Sequence, residues 1–311
     1  MGSFFLYREN DLDVTHNREY TSSDSMDNSL LPINKIIEGD CLQVMKSWPD
    51  HCVDHCITDP PFNLSKKKGL SWAFSSHVTM QEAWDIFSKD EFLKFTGDWI
   101  QEVTRVVKPN GNIFIFGSYH NIYIVGFIIQ QLNLKLINSI VWFKPNAQPN
   151  ITTRMLTEST EHIIWACNNN VNKATKWVFN YDEAKRLGNG RQLRNVWEIP
   201  YTPAREKTFG KNPTQKPEAL LERLILIGSL KNEIVLDCFA GTGTTAVVAE
   251  RLGRQWIAIE KDATYVDIAQ RRMAAEKSSQ NVEIQIKKLK HIYPKITQPN
   301  LLEKRAEYIK E

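Results

Sequence analysis

No apolar run in the chain reaches about 18 residues, so nothing in it reads as a transmembrane helix and no membrane partner is expected. Phe4-Phe5-Leu6 gives way at once to Tyr7, Arg8 and Glu9, which is not the pattern of a secretory leader. Leu6 also stands where a myristoylation signal needs Ser or Thr. Charge of one sign is scarce: 39 Lys and Arg against 36 Asp and Glu leave only +3. Net charge alone therefore points to no polyanionic partner, and only local clustering could do so. Cysteine is sparse and odd in number, five residues scattered through apolar runs, which reads as reduced thiols in a cytoplasmic protein. His51, Cys52, His55 and Cys56 crowd together. His55 and Cys56 are neighbours in an apparent strand, so they point to opposite faces, and no second pair at zinc spacing follows. No metal site is expected.

What is present suits an ordinary globular chain. With 311 residues, 42% hydrophobic and 24% charged, it can bury one large α/β core with a small inserted module. Short β-branched runs (KIIEGD, VDHCIT, GNIFIFGS, LINSIVWFK, EHIIWAC) alternate with helical patterns. One helix is expected between Thr79 and Val107, where Trp84, Phe87, Phe92, Phe95, Trp99, Val103 and Val106 recur and Lys108-Pro109-Asn110-Gly111 ends the pattern. Others are expected over LQVMKSWP, over Tyr119 to Leu132 and after Pro217. The alternation implies an α/β fold on a mixed, mainly parallel sheet covered on both faces. Residues 1–31 are polar and aperiodic and read as a flexible extension. The stretch from Asn63 to Thr79 reads as a long mobile loop. Residues 276–311 form a basic tail of no readable role.

The stretch from Glu233 to Asp262 is strand, Gly-rich turn, helix and a second strand closing on Glu260, half of a nucleotide-binding unit. Gly241 and Gly243 permit a tight turn and close approach of a ligand. Thr244 and Thr245 open the helix, whose free N–H groups favour anionic groups. Glu260 stands where a carboxylate could take two ribose hydroxyls. Gly241, Gly243 and Ala246 satisfy the dinucleotide fingerprint, so on these residues a nicotinamide or flavin nucleotide and S-adenosylmethionine are equally good readings. A P-loop is excluded, because no Lys follows in the required pattern.

Asp59-Pro60-Pro61-Phe62 closes the strand VDHCIT, at the end of the sheet where open α/β folds place ligands. Each Pro fixes its own φ and holds the preceding residue extended. Asp59 and the Pro60 carbonyl can then aim at one point, beside the aromatic face of Phe62. That set suits a planar ring bearing an amino group; the bland alternative is a rigid turn. Residues 168–212 hold nine basic residues against four acidic ones, interleaved with Trp177, Phe179, Tyr181, Trp197 and Tyr201. Basic, aromatic and aperiodic is the pattern of a nucleic-acid contact region, or of a solvated insertion with some buried aromatics.

Asp59-Pro60-Pro61-Phe62 and Phe239-Ala240-Gly241-Thr242-Gly243-Thr244 resemble the two signature motifs of S-adenosylmethionine-dependent DNA amino-methyltransferases. GDCLQVMKSWPDHCVDHCITDPPF, VVKPNGNIFIF and NPTQKPEALLERLI are similar to further blocks of that family, and together they cover roughly residues 35–275. Catalytic motif first, recognition region next and cofactor motif last resembles the β group, a circular permutation of the Rossmann-like methyltransferase fold. Such enzymes serve bacterial restriction–modification or stand-alone DNA methylation.

The resemblance implies a catalytic domain over 32–275 with target recognition at 168–212. It implies that Asp59, Pro60, Pro61 and Phe62 hold a flipped base. Asp237, Phe239, Gly241, Gly243, Thr244 and Thr245 would line the methionine end of S-adenosylmethionine. Glu260 would take the ribose, Asp40 and Cys41 would lie near the adenine, and Asn212, Thr214 and Lys216 would close the pocket. The chain departs from the commonest form at Phe62, where Tyr is usual, and at Asn212, where His is frequent. The leading Asp implies transfer to adenine N6 in duplex DNA, with cytosine N4 the alternative and a homodimer a common assembly. A nicotinamide oxidoreductase built on Gly241 would leave the Asp-Pro-Pro-Phe block without a purpose.

Overall fold

A computed structural model of the chain describes residues 31–63, 87–150, 154–170, 176–210 and 212–292. The expected extension before Leu31, nearly all of the expected mobile loop, and the tail beyond 292 lie outside the described residues. Eight strands form one sheet: β1 (Lys35–Glu38), β2 (His55–Thr58), β3 (Asn112–Gly117), β4 (Leu134–Phe143), β5 (Thr160–Asn170), β6 (Val196–Glu198), β7 (Ile234–Asp237) and β8 (Gln255–Glu260). Their spatial order is β1-β8-β7-β2-β3-β5-β4-β6. β1, β8, β7, β2 and β3 are parallel neighbours, whereas β5 pairs antiparallel with both β3 and β4. The sheet is therefore mixed and mainly parallel, as the alternation of elements predicts.

Strand side chains alternate between two cores. Cys56, Ile113, Ile115, Ile234, Leu236, Ile257 and Ile259 join the first. Ile57, Phe114, Phe116, Val235, Trp256 and Ala258 join the second. Period-two alternation with both sides apolar is what a sheet covered on both faces requires. Helices α1 (Cys41–Met45), α2 (Lys89–Val106) and α3 (Ile122–Gln131) contribute to the first core. The second core is covered by α4 (Tyr181–Leu187), α5 (Glu218–Gly228), α6 (Thr244–Arg251) and α7 (Ala263–Ile292). Among the described residues no helix is long and apolar enough to cross a membrane.

Several boundaries differ from the periodicity reading. α2 begins at Lys89, ten residues after Thr79, because Ser88 and Glu91 form a reciprocal capping box that satisfies the first free N–H groups; Trp84 lies outside the described residues. α3 starts at Ile122 because Asn121 Oδ1 accepts the Ser118 N–H at 2.9 Å and holds a turn ahead of the helix. Residues 168–212 are more regular than their composition suggests, since α4 and β6 lie within them. β6 pairs with β4 and buries Trp197, while Phe179 and Tyr181 stay exposed. Seven-residue and three-residue elements are too short to register a period. α7 runs to Ile292, well past the point where composition turns polar.

The sheet order places β7 beside β2 and β8 beyond it, so the late Gly-rich unit is inserted next to the early Asp-Pro-Pro-Phe turn. From β2 the chain moves outward to β3; from β7 it moves the other way to β8. The carboxyl ends of β2 and β7 thus flank a topological switch point, where open α/β sheets form a crevice.

Candidate active site

A cavity of about 390 Å³ opens at that switch point, a size that holds a nucleotide-like ligand. Thr58, the last residue of β2, donates to Asp237 Oδ1 at 2.8 Å and so joins the ends of the two strands. Asp237 also accepts the Phe239 N–H at 3.2 Å, which turns the chain sharply out of β7. Gly241 (φ +52°) and Gly243 (φ +76°) then occupy the left-handed region, where a Cβ is strained. A Cβ on Gly241 would come 3.4 Å from Asn212 Nδ2. One on Gly243 would collide with Ala269 Cβ of α7 at 2.9 Å. The first glycine keeps the cavity open and the second lets the turn pack on α7.

Beyond the turn, Glu260 Oε2 accepts the Gly241 N–H at 2.7 Å and Oε1 accepts the Asp262 N–H at 2.8 Å. Burial pushes the Glu260 carboxyl up against the pull of these backbone donors. Its backbone carbonyl accepts the Gly39 N–H at 2.8 Å, which brings Asp40 and Cys41 to the same end of the cavity. Asp40 caps α1 through Leu42 N–H at 3.1 Å and lies 3.3 Å from Lys261 Nζ.

At the other end stands Asp59. Its Oδ2 accepts from Lys216 Nζ at 2.6 Å. Its Oδ1 is buried with no hydrogen-bond partner among the described residues. Burial pushes the Asp59 carboxyl up to about 6, with Lys216 pulling it down and Glu161 pushing it further up. Burial likewise lifts Asp237 to about 6 against the hydrogen bonds of Thr245, Thr58 and the Phe239 N–H. Lys216 is held above its ordinary value: burial lowers it, and Asp59 and Glu161 more than reverse that.

Of the residues singled out from sequence, Asp40, Cys41, Asp59, Pro61, Asn212, Thr214, Lys216, Asp237, Phe239, Gly241, Thr244, Thr245 and Glu260 all line this one cavity. Pro60, Phe62 and Gly243 do not. Pro60 is buried beside the wall, and Phe62 packs on the second core with Lys216 Nζ 5.2 Å from its ring centroid. Asn212 folds back on its own strap, its Oδ1 accepting from Thr214 N and Oγ1, both at 2.8 Å.

Three polar residues escape a sequence reading. Gln215 lines the cavity and accepts from Thr242 Oγ1 at 3.0 Å. Arg272, buried on α7, donates to Thr242 O at 2.8 Å and Thr244 Oγ1 at 2.9 Å. Glu161 lies 3.3 Å from Lys216. Only Glu161 carries a signal, an acid at the mouth of an apolar strand.

A DNA methylase family model, that of the N6/N4 enzymes, spans residues 53–271. The chain belongs to that DNA methylase family. This methylase is 41% identical over 243 residues to the Type II methyltransferase M2.DpnII of Streptococcus pneumoniae, covering 78% of this chain and 90% of that protein. It is 40% identical over 240 residues to the Type II methyltransferase M2.LlaDCHI of Lactococcus lactis subsp. cremoris, covering 76% and 88%. Among solved structures, the complex of M1.HpyAVI with S-adenosylmethionine matches with a TM-score of 0.57 and 29% identity, covering 77% of the methylase and 98% of that chain. The span from 53 to 271 takes in both the Asp59 turn and the Gly241 turn, so the family match and the cavity rest on the same two segments.

Proposed function

We propose that this methylase transfers a methyl group from S-adenosylmethionine to adenine N6 in duplex DNA, on a base flipped into the cavity beside Asp59. The observation that carries the reading is the buried Oδ1 of Asp59, without a partner among the described residues, in the same cavity as the glycine turn. An unsatisfied buried acceptor costs about 1–3 kcal/mol. It persists where a ligand supplies the donor, and an exocyclic amino group is such a donor.

The donor set of the cavity fits the cofactor. Bound S-adenosylmethionine supplies an electrophilic methyl on a sulfonium centre. Asp40, Asp59, Asp237 and Glu260 surround the cavity with carboxylate, which suits a cationic ligand. Glu260 retains lone pairs for ribose hydroxyls, Asp40 and Cys41 flank the adenine end, and Asp237 with Phe239, Thr244 and Thr245 lines the methionine end. Gly243 serves that end indirectly, by seating the turn on α7. Asn212, Thr214 and Lys216 close the cavity from the strap before α5.

The substrate amine is a poor nucleophile, because its lone pair is delocalised into the ring. Asp59 Oδ1 and the Pro60 carbonyl accept its two hydrogens, which favours the tetrahedral nitrogen of the transition state by positioned electrostatics. Lys216 fixes the other oxygen of Asp59, so the acceptor cannot rotate away. Phe62 packs beside the cavity without lining it; turned toward the flipped base, its ring supplies a stacking face that offsets part of the few kcal/mol lost on unpairing. Residues 168–212 carry target recognition, and the leading Asp of the motif favours adenine over cytosine. A homodimer is the assembly implied by the resemblance.

The test is to express the chain in a methylation-free host and sequence its modified bases, with Asp59→Ala beside it. Adenine N6 modification that Asp59→Ala abolishes, with S-adenosylmethionine binding retained, is the expected outcome. Cytosine N4 modification would correct the base, and modification undiminished in Asp59→Ala would overturn the reading of the site.

A further inference from the structure

Asp59, its side chain 23% exposed, is the end of a largely buried line of four charges. Its Oδ2 accepts from Lys216 Nζ at 2.6 Å; that ammonium lies 3.3 Å from Glu161 Oε2; and Glu161 Oε1 accepts from Lys144 Nζ at 3.1 Å. The Lys216, Glu161 and Lys144 side chains are 7%, 15% and 4% exposed. Lys144 is walled by aromatic rings, 5.3 Å from the centroid of Trp142 and 5.0 Å from that of Tyr201. The line alternates in sign and sums to zero. Buried ion pairs add little stability over apolar side chains of the same volume, so folding alone gives no reason for Glu161 and Lys144 to be charged.

We propose that Glu161 and Lys144 are positioning residues for methyl transfer: acting through Lys216, they hold one oxygen of Asp59 and leave the other free for the substrate amine. The inference rests on the reading of Asp59 given above. Lys216 comes from the strap before α5, Glu161 is the second residue of β5, opposite Trp142, and Lys144 directly follows β4. The Asp59 acceptor is thereby fixed from two further elements of the sheet.

The charged groups facing Asp59 are Lys216, Glu161 and, from β7, Asp237. Burial raises Asp59, Lys216 opposes that and Glu161 adds to it. Burial also raises Glu161, but Lys216 and Lys144 outweigh it and hold that carboxyl below its ordinary value. The two positions therefore act on Asp59 with opposite signs. Removing the charge of Glu161 frees Lys216 to act on Asp59 alone, so Asp59 loses its proton at lower pH. Removing the charge of Lys144 leaves Glu161 less neutralised, so Asp59 loses its proton at higher pH.

The experiment measures turnover against pH for the full chain on duplex DNA carrying its modified site, in the wild type, Glu161→Gln and Lys144→Met. Both variants should lose about tenfold or more in kcat through a displaced Asp59, with S-adenosylmethionine affinity changed less than about twofold. The acid limb should move down in Glu161→Gln by about one pH unit, the effect of a close charge on a buried carboxyl, and up by less in Lys144→Met, whose ammonium reaches Asp59 only through Glu161. A merely structural role would lower activity without driving the limbs apart. Limbs that stay with the wild type, or that move in the same direction, overturn the inference. Should one variant not fold, the other decides by its own sign. Lys144→Arg, which keeps the charge, must leave the limb in place, and a displaced limb there overturns the inference too. If wild-type turnover does not depend on Asp59 at all, it is the reading of the site that falls instead.

Discussion

The hydroxyl of Thr58 donates to Asp237 across 179 positions of chain, at 2.8 Å and away from water. It adds a side-chain bond, at their carboxyl ends, to the backbone ladder that already pairs the strand ending in the Asp-Pro-Pro-Phe turn with the strand that opens the glycine turn. Thr58→Val keeps the shape and removes the donor. We expect a loss of about 1–3 kcal/mol in unfolding free energy, since Asp237 is left buried with one donor fewer. Denaturant titration measures it. Weaker S-adenosylmethionine binding should accompany the loss, because the same carboxylate lines the cavity; full stability in this variant would show that the backbone ladder and packing hold the two strand ends without the hydroxyl.

Asp59 and Asp237 both sit at about 6, raised first by burial. Between the ordinary value of 3.8 and about 6, the folded chain keeps protons that the unfolded chain has released. The contribution of these two groups to stability therefore falls as pH rises through that window and is level above it. Glu161, held low by Lys216 and Lys144, has the opposite sign, and its contribution is lost as pH falls below the ordinary 4.5. The proposed role of Asp59 needs it ionised, so turnover should fall as pH drops through about 6 while the melting temperature does not fall. Parallel pH series of turnover and thermal melting check this. Loss of fold in step with loss of turnover would contradict it.

Arg272 ties α7 to the glycine turn through Thr242 and Thr244 and reaches Glu218 at 2.9 Å with its other nitrogen. Burial holds its guanidinium below the ordinary value, and Glu218 and Glu206 compensate in part. Arg272→Met leaves Glu218 short of a buried partner, a change that costs about 3–5 kcal/mol. Glu218 keeps Arg251 at 2.9 Å, so the lower end is expected. Chemical denaturation gives the stability, and calorimetric titration should show S-adenosylmethionine binding weakened about tenfold or more by the loosened turn.

The sequence was most legible where chemistry and backbone constraint coincide in a few adjacent residues. Asp59-Pro60-Pro61 and Gly241-Thr242-Gly243 announce rigid turns, and both line the cavity. The parallel strands were legible for the same local reason, since runs such as Ile234–Asp237 are apolar up to a final acid and buried at every position. Contacts that depend on distant chain crossing were not. Glu161 meets Lys216 only because β5 reverses between β3 and β4, and nothing around position 161 announces that. Arg272 stands just ahead of the basic tail, and nothing near it in the sequence shows that α7 folds it onto Thr242, 30 positions earlier. Phe62 and Gly243 belong to motifs most of whose other members line the cavity, yet one packs on the second core and the other on α7. Spacing fixes which residues are neighbours in the chain and leaves open which way each side chain turns.

That distinction separates the two glycines. Both have positive φ, +52° at Gly241 and +76° at Gly243, so alanine at either carries a backbone penalty of about 1–2 kcal/mol. At Gly243 the added methyl also meets Ala269 Cβ at 2.9 Å, inside a packed contact with α7. Overpacking of that kind adds about 1–3 kcal/mol. At Gly241 the nearest atom is Asn212 Nδ2 at 3.4 Å, and the methyl stands at the cavity wall. Gly243→Ala should therefore appear chiefly as lost stability. Gly241→Ala should keep most of its stability and lose S-adenosylmethionine affinity, because its methyl takes the space a ligand backbone approach requires. Thermal melts and binding titrations on the two variants side by side decide the matter; equal losses of affinity at equal stability would mean that Gly243, too, is a wall of the cofactor site.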